Sequence, residues 1–193
     1  GRGGGRVTGT LRRRPQVAAE DLLAGFVVPR HFAEATFDSY RPDPEHPSQE
    51  AARQRLVGLA DRLLTPATSG LTRLLRRPQA PAAVYLDGGY GVGKTHLLAA
   101  LAHAVGVGTA GDVVYGTFVE YTHLVGAIGF AATVAALSAR RLVCLDEFEL
   151  DDPGDTVLMA RLLRELGDAG VTLAATSNTL PESLGEGRFG ADD

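Results

Sequence analysis

The run GGYGVGKT, residues 88–95, places Gly88, Gly89, Gly91 and Gly93 ahead of a lysine and a threonine, with Tyr90 and Val92 between the glycines. Glycine lets a backbone turn sharply and aim successive N–H groups at one point. The spacing Gly88-x-x-x-x-Gly93-Lys94-Thr95 is that of a P-loop. The chemistry it offers is anion binding. Loop amides and the positive end of the following helix face phosphate oxygens. Lys94 reaches the β- and γ-phosphates, and Thr95 ligates Mg²⁺. ATP and Mg²⁺ are the expected cofactors, although nothing in the run separates ATP from GTP.

LVCLDE, residues 142–147, is the second element. Four apolar residues bury a strand whose end presents Asp146 and Glu147. Asp146 is expected to hold Mg²⁺, and Glu147 to orient and deprotonate an attacking water. Adjacent strand residues face opposite sides, so a turn at the strand end must bring both carboxylates near the phosphates. The plain alternative is a strand running into an acidic loop, FELDD. ATSN, residues 175–178, is the third: Asn178 can contact the γ-phosphate or the lytic water, or it can cap a turn. Lys94 and Asn178 are the only lysine and the only asparagine in the chain. A composition that avoids both types elsewhere favours the functional reading of each. The catalytic set is therefore Lys94, Glu147 and Asn178, with Thr95 and Asp146 as metal ligands.

These residues need elements to position them. AAVYL, VVYGTFVE, LVCLD and VTLAATS read as buried strands, with helices at THLLAALAHAV and DTVLMARLLREL and helical pieces over 121–139. Strands alternating with helices imply an α/β fold with a mainly parallel sheet flanked by helices. On the helix DTVLMARLLREL, Leu158, Leu162, Leu163 and Leu166 are expected to face the core. Before this core, Ser48 is the expected N-cap of a helix over 49–64 with Leu56, Leu59, Ala60 and Leu63 buried. RPDPEHPSQ is an extended connector, and LTRLLRR a short helical piece. Residues 1–20 read as a Gly/Arg-rich tail, 21–80 as an N-terminal helical segment and connector, and 81–193 as the P-loop core.

The 193 residues leave room for one domain and some extra chain, and 45 % are apolar. The net charge of −4 conceals an asymmetry. Arg2, Arg6, Arg12, Arg13 and Arg14 give the first 14 residues +5, which leaves −9 on the rest. Binding nucleic acid requires cations to neutralise phosphates, so nucleic acid is an unlikely partner. The single cysteine, Cys144, sits in an apolar run. It forms no disulfide framework and fits a reducing cytoplasm. The most apolar stretch, LVGAIGFAATVAAL, is shorter than the roughly 20 residues needed to cross a bilayer, and no membrane span is expected. His31, His46, His96, His103 and His123 are scattered and read as structural.

GGYGVGKTHLL, LVCLDEFELDDPGDTVLMARLL and VTLAATSNTLPESLGEGRF resemble the ZapE family of cell-division ATPases and their AFG-like mitochondrial relatives. PRHFAEATFDSYRPDPEHPSQ resembles the segment before that family's nucleotide domain, so the resemblance covers residues 20–193. DEF followed by an acidic loop is its most specific part. It implies an AAA+-type fold, ATP hydrolysis, and ATP-dependent action on FtsZ in the division ring. It gives Lys94, Thr95, Asp146, Glu147 and Asn178 the roles argued above. It also places the fourth strand between the P-loop strand and the DE strand. Family members continue with a helical lid and further arginines, so the chain reads as a weakly active fragment without its C-terminal lid. Arg188, in GEGRF, is a candidate for an arginine acting on a neighbouring subunit's nucleotide in a homo-oligomer. A solvated surface arginine is the other reading. Tyr40 and Gln49 are candidates for adenine contact. Two further functions compete: a replication initiator or helicase loader, where GKTHLL also occurs, and a non-hydrolysing nucleotide-dependent scaffold, which would not need Glu147.

Overall fold

The computed structural model of the protein describes residues 14–65, 83–88, 93–106, 111–148, 152–177 and 188–190, with 14–18 and 188–190 described by backbone alone. Gly89, Tyr90, Gly91, Val92, Asn178 and the piece LTRLLRR lie outside the described residues. The strands are β1 (Ala83–Asp87), β2 (Val113–Thr117), β3 (Leu142–Phe148), β4 (Thr172–Ser177) and β5 (Arg188–Gly190). They form one sheet in the order β2-β3-β4-β1-β5, and every pairing is parallel. The fourth strand therefore lies between the P-loop strand and the DE strand, as the resemblance implied. The helices are α1 (Arg14–Leu23), α2 (Pro47–Leu64), α3 (Lys94–Gly106), α4 (Phe118–Ile128), α5 (Phe130–Ser138) and α6 (Pro153–Asp168).

A sheet buried on both faces needs two cores, and the period-2 alternation of each strand supplies them. Val84, Leu86, Tyr115, Leu142, Cys144 and Ala174 pack with α2 and α3 on one face. Tyr85, Val114, Val143, Leu145, Leu173 and Ala175 pack with α4, α5 and α6 on the other. Leu56, Leu59 and Ala60 are buried as expected, and Leu63 is partly buried against the same core. On α6, Leu162, Leu163 and Leu166 are buried together with Met159, while Leu158 is partly buried.

Several boundaries differ from the sequence reading. The second strand ends at Thr117, whose hydroxyl accepts from the Glu120 N–H while the Glu120 side chain accepts from the Thr117 N–H. This reciprocal capping box turns FVE into the first turn of α4. The helical stretch over 121–139 is two helices, broken at Gly129 with φ 86° and bent by 116°. Among the described residues no single helix is long and apolar enough to cross a membrane. α2 starts at Pro47 with His46 as its N-cap, so Ser48 is not the cap. Proline's fixed φ suits the first helical position, and the Ser48 hydroxyl is buried without a hydrogen-bond partner. The fifth strand, Arg188–Gly190, was not expected; it extends the sheet beyond β1.

The segment before the core is docked on it. α1 takes in residues 14–20 of the segment assigned to the tail and runs on to Leu23, with Ala19 and Leu23 buried. Arg140, just past α5, binds both carboxylate oxygens of Glu20, at 2.7 and 2.8 Å. The Phe26 carbonyl accepts from the Tyr115 N–H at 3.2 Å, covering the outer edge of β2. The Phe26 ring lies over Gly116, where a Cβ would come within 2.5 Å of it. Further along, His96 Nε2 lies 3.0 Å from both Ser39 Oγ and the Thr36 carbonyl. His103 Nδ1 lies 2.8 Å from the Ala35 carbonyl. Two α3 histidines thus tie the N-terminal segment to the helix that follows the P-loop.

Candidate functional site

β1 delivers the glycine run to the C-terminal end of the sheet, and α3 begins with Lys94 immediately after it. Gly93 has φ 78°, a left-handed conformation that glycine adopts without penalty. Lys94 Nζ donates to the Gly88 carbonyl. The ammonium therefore reaches back from α3 to the residue that follows β1. Thr95 lies on the first turn of α3 and donates its hydroxyl to Asp146 Oδ1 at 3.2 Å.

The position of Asp146 follows from strand parity. It stands two residues beyond Cys144 on β3, so its side chain takes the α3 face of the sheet. Tyr115 on β2 and Thr176 on β4, two residues beyond Ala174, take that same face. Three neighbouring strands thus converge on one carboxylate. Tyr115 Oη donates to Oδ2 at 2.7 Å. Thr176 Oγ1 donates to Oδ1, and the Glu147 N–H reaches Oδ1 at 3.1 Å. Asp146 is buried at 2 % exposure. Burial raises the Tyr115 hydroxyl pKa strongly, and the Asp146 charge adds to the effect. The phenol stays protonated and is the donor. Cys144, fully buried, is likewise raised by burial first and by Asp146 second. It is an inert core thiol.

The turn expected at the strand end is a bulge inside the strand. β3 does not stop at Asp146. Leu145 pairs with Ala175 and Phe148 with Ser177, so one extra residue is accommodated on β3. Glu147 absorbs it with φ 56°, the only positive φ among the described non-glycine residues. In a regular strand Glu147 would follow Leu145 into the helical core. Phe148 takes that place instead, against Phe118 with ring centroids 5.2 Å apart, and Glu147 is left exposed at the sheet end. Its N–H also donates to Thr176 Oγ1 at 3.0 Å, and Ser177 Oγ donates to the Phe148 carbonyl at 2.7 Å. A non-glycine residue held at positive φ costs about 1–3 kcal/mol and persists where surrounding contacts over-determine it. Here the strain separates the two carboxylates, one buried and fixed, the other presented.

Of the residues singled out in the sequence, the structure brings Lys94, Thr95, Asp146 and Glu147 to one end of the sheet. Asn178 follows Ser177, the last residue of β4, and lies outside the described residues. Arg188 starts β5 in register with Tyr85, two residues below the end of β1. Tyr115 and Thr176 were missed. The available signal was a hydroxyl inside each of two apolar strands, since a buried hydroxyl needs a partner.

A scan of protein families matches residues 17–193 to the model described as AFG1-like ATPase. The chain belongs to the AFG1-like ATPase family. Among curated proteins it is 29 % identical over 127 residues to the uncharacterised protein C115.02c of Schizosaccharomyces pombe. That match takes in 59 % of this chain and 28 % of the relative, so the chain spans little more than a quarter of that protein's length. Among solved structures it is similar to domain III of DnaA from Thermotoga maritima, with TM-score 0.56, 18 % identity, and coverage of 79 % of this chain and 62 % of that one. AMPPCP-bound DnaA from Aquifex aeolicus gives 0.55 at 15 % identity, covering 80 % and 45 %. The DnaC helicase loader gives 0.52 at 19 % identity, covering 79 % and 82 %. The fold is that of the P-loop AAA+ proteins.

In this member of the family the N-terminal segment reaches Gly93, the residue before Lys94. Tyr40 is buried, and its Cε2 lies 2.7 Å from where a Cβ on Gly93 would stand. Gln49, also buried, accepts from the Asp43 N–H at 2.8 Å and lies 3.5 Å from Tyr40 Oη. Both adenine candidates are thus buried side chains in contact with each other, with Tyr40 packed against Gly93. Gly93→Ala should lower stability by at least the ~1–2 kcal/mol of a left-handed residue, because the Tyr40 ring must also move. Equilibrium urea unfolding checks this, and an unchanged midpoint would contradict it.

Proposed function

We propose that the protein binds ATP with Mg²⁺ in the loop between β1 and α3 and hydrolyses its terminal phosphate. The observation that carries this reading is the Thr95 Oγ1 to Asp146 Oδ1 approach of 3.2 Å. It joins the P-loop helix to the DE strand, with Glu147 beside them. A hydroxyl and a carboxylate are hard oxygen donors of the kind Mg²⁺ takes, so Thr95 and Asp146 fit as the residues that would hold it. When bound, Mg²⁺ supplies charge neutralisation at the phosphate oxygens. Lys94 exchanges the Gly88 carbonyl for phosphate oxygens. Glu147 accepts a proton from the attacking water, and Asn178 orients that water or the γ-phosphate. Arg188 remains the candidate for a contribution in trans. The non-hydrolysing scaffold is disfavoured because it gives no use for a strained, exposed Glu147.

The partner we propose is FtsZ in the division ring, on the strength of the resemblance to ZapE. The DnaA and DnaC structures share the fold at low identity. A role on DNA would call for a cationic surface, whereas the chain beyond its first 14 residues carries −9. Co-sedimentation with FtsZ polymers should be greater with ATP than without. No association under either condition would remove FtsZ as the partner and leave the ATPase reading standing.

A further inference from the structure

Asp146 has two oxygens, and the surrounding donors share them unequally. Oδ1 receives Thr95, Thr176 and the Glu147 N–H. Oδ2 receives Tyr115 at 2.7 Å. The terminal torsion of an aspartate is broad and roughly two-fold, so a carboxylate held at one oxygen can swing. One held at both has its plane fixed. We infer that Tyr115 is a positioning residue for the metal-binding carboxylate: it fixes Oδ2 so that Oδ1 stays beside Thr95. This rests on the Mg²⁺ reading proposed above.

Tyr115 is itself firmly placed. Its ring is 2 % exposed in the α2/α3 core, and its N–H is held by the Phe26 carbonyl of the docked N-terminal segment. The neighbouring Gly116 lets Phe26 come close. A donor to a carboxylate makes a stronger bond than a neutral pair. A phenol and a carboxylate buried together are nonetheless an expensive way to fill a core, since apolar residues of similar volume often serve stability as well or better. Fixing a ligand gives the pair a use that packing does not.

The test is calorimetric ATP binding to the whole chain with Mg²⁺ and with a chelator, for the parent and Tyr115→Phe, after comparison of their unfolding transitions. Phenylalanine keeps the ring and removes only the donor. Chelator affinity should be unchanged, while the gain in affinity from Mg²⁺ should fall about tenfold, the lower end for loss of a partner that orients a metal ligand. In an Asp146→Asn background the same substitution should change nothing further. A parent with no Mg²⁺-dependent gain would refute the metal reading itself. A parent whose gain survives intact in Tyr115→Phe, or a variant in which both affinities fall together, would overturn the positioning role alone. A Tyr115→Phe chain that does not fold would assign the hydroxyl to stability and overturn it equally.

Discussion

Glu147→Gln should lower phosphate release by about 10²–10⁴-fold, the usual contribution of a positioned general base, while ATP stays bound. Glutamine has nearly the shape of glutamate, and its backbone would meet the same strain at φ 56°. The bulge should survive, because Phe148 in the core and the Glu147 N–H bond to Thr176 Oγ1 hold it, and neither involves the 147 carboxylate. What is lost is the capacity to accept a proton from water. Filter binding of labelled ATP beside phosphate release separates the two effects. Parental turnover in this variant would exclude Glu147 as the base.

Lys94→Ala should weaken ATP binding by about 10- to 150-fold, from the ~1.5–3 kcal/mol of a hydrogen bond involving a charged group. No other lysine exists in the chain to replace it. The Lys94 to Gly88 hydrogen bond is lost at the same time. Lys94→Arg should fail largely as well. A planar, differently hydrated fork does not substitute for a compact ammonium at the end of a flexible stem. Near-parental affinity of Lys94→Ala by calorimetry would refute the assigned cradle.

The lysine at a helix start and the carboxylate at a strand end were legible because local sequence order sets them. β1 ends at Asp87 and α3 opens with Lys94, and LVCL reads as a buried strand running into Asp146. Tyr115 and Thr176 were not legible in that way. Their approach to Asp146 depends on β2, β3 and β4 lying side by side, and those strands are separated in the chain by helices. Period-2 parity says which face a residue takes, but only the strand order says what stands beside it. The bulge at Glu147 escaped notice because no glycine or proline marks it. The competing demand of Phe148 for the core placed it there. Thr117 is a different kind of miss. Thr-x-x-Glu is a readable helix start, but the apolar run VVYGTFV suggested a longer strand. Ser48 likewise drew attention from Pro47, whose ring geometry sets where α2 begins.

One site is proposed to hold ATP, with Glu147 turning it over. The most direct test is single-turnover conversion of ATP to ADP with the chain in excess over nucleotide and Mg²⁺ present, run in parallel on Glu147→Gln. The parent should show first-order conversion, however slow, and the variant should keep its bound ATP intact. ATP that binds the parent and stays intact, or a variant that converts it at the parental rate, would contradict it.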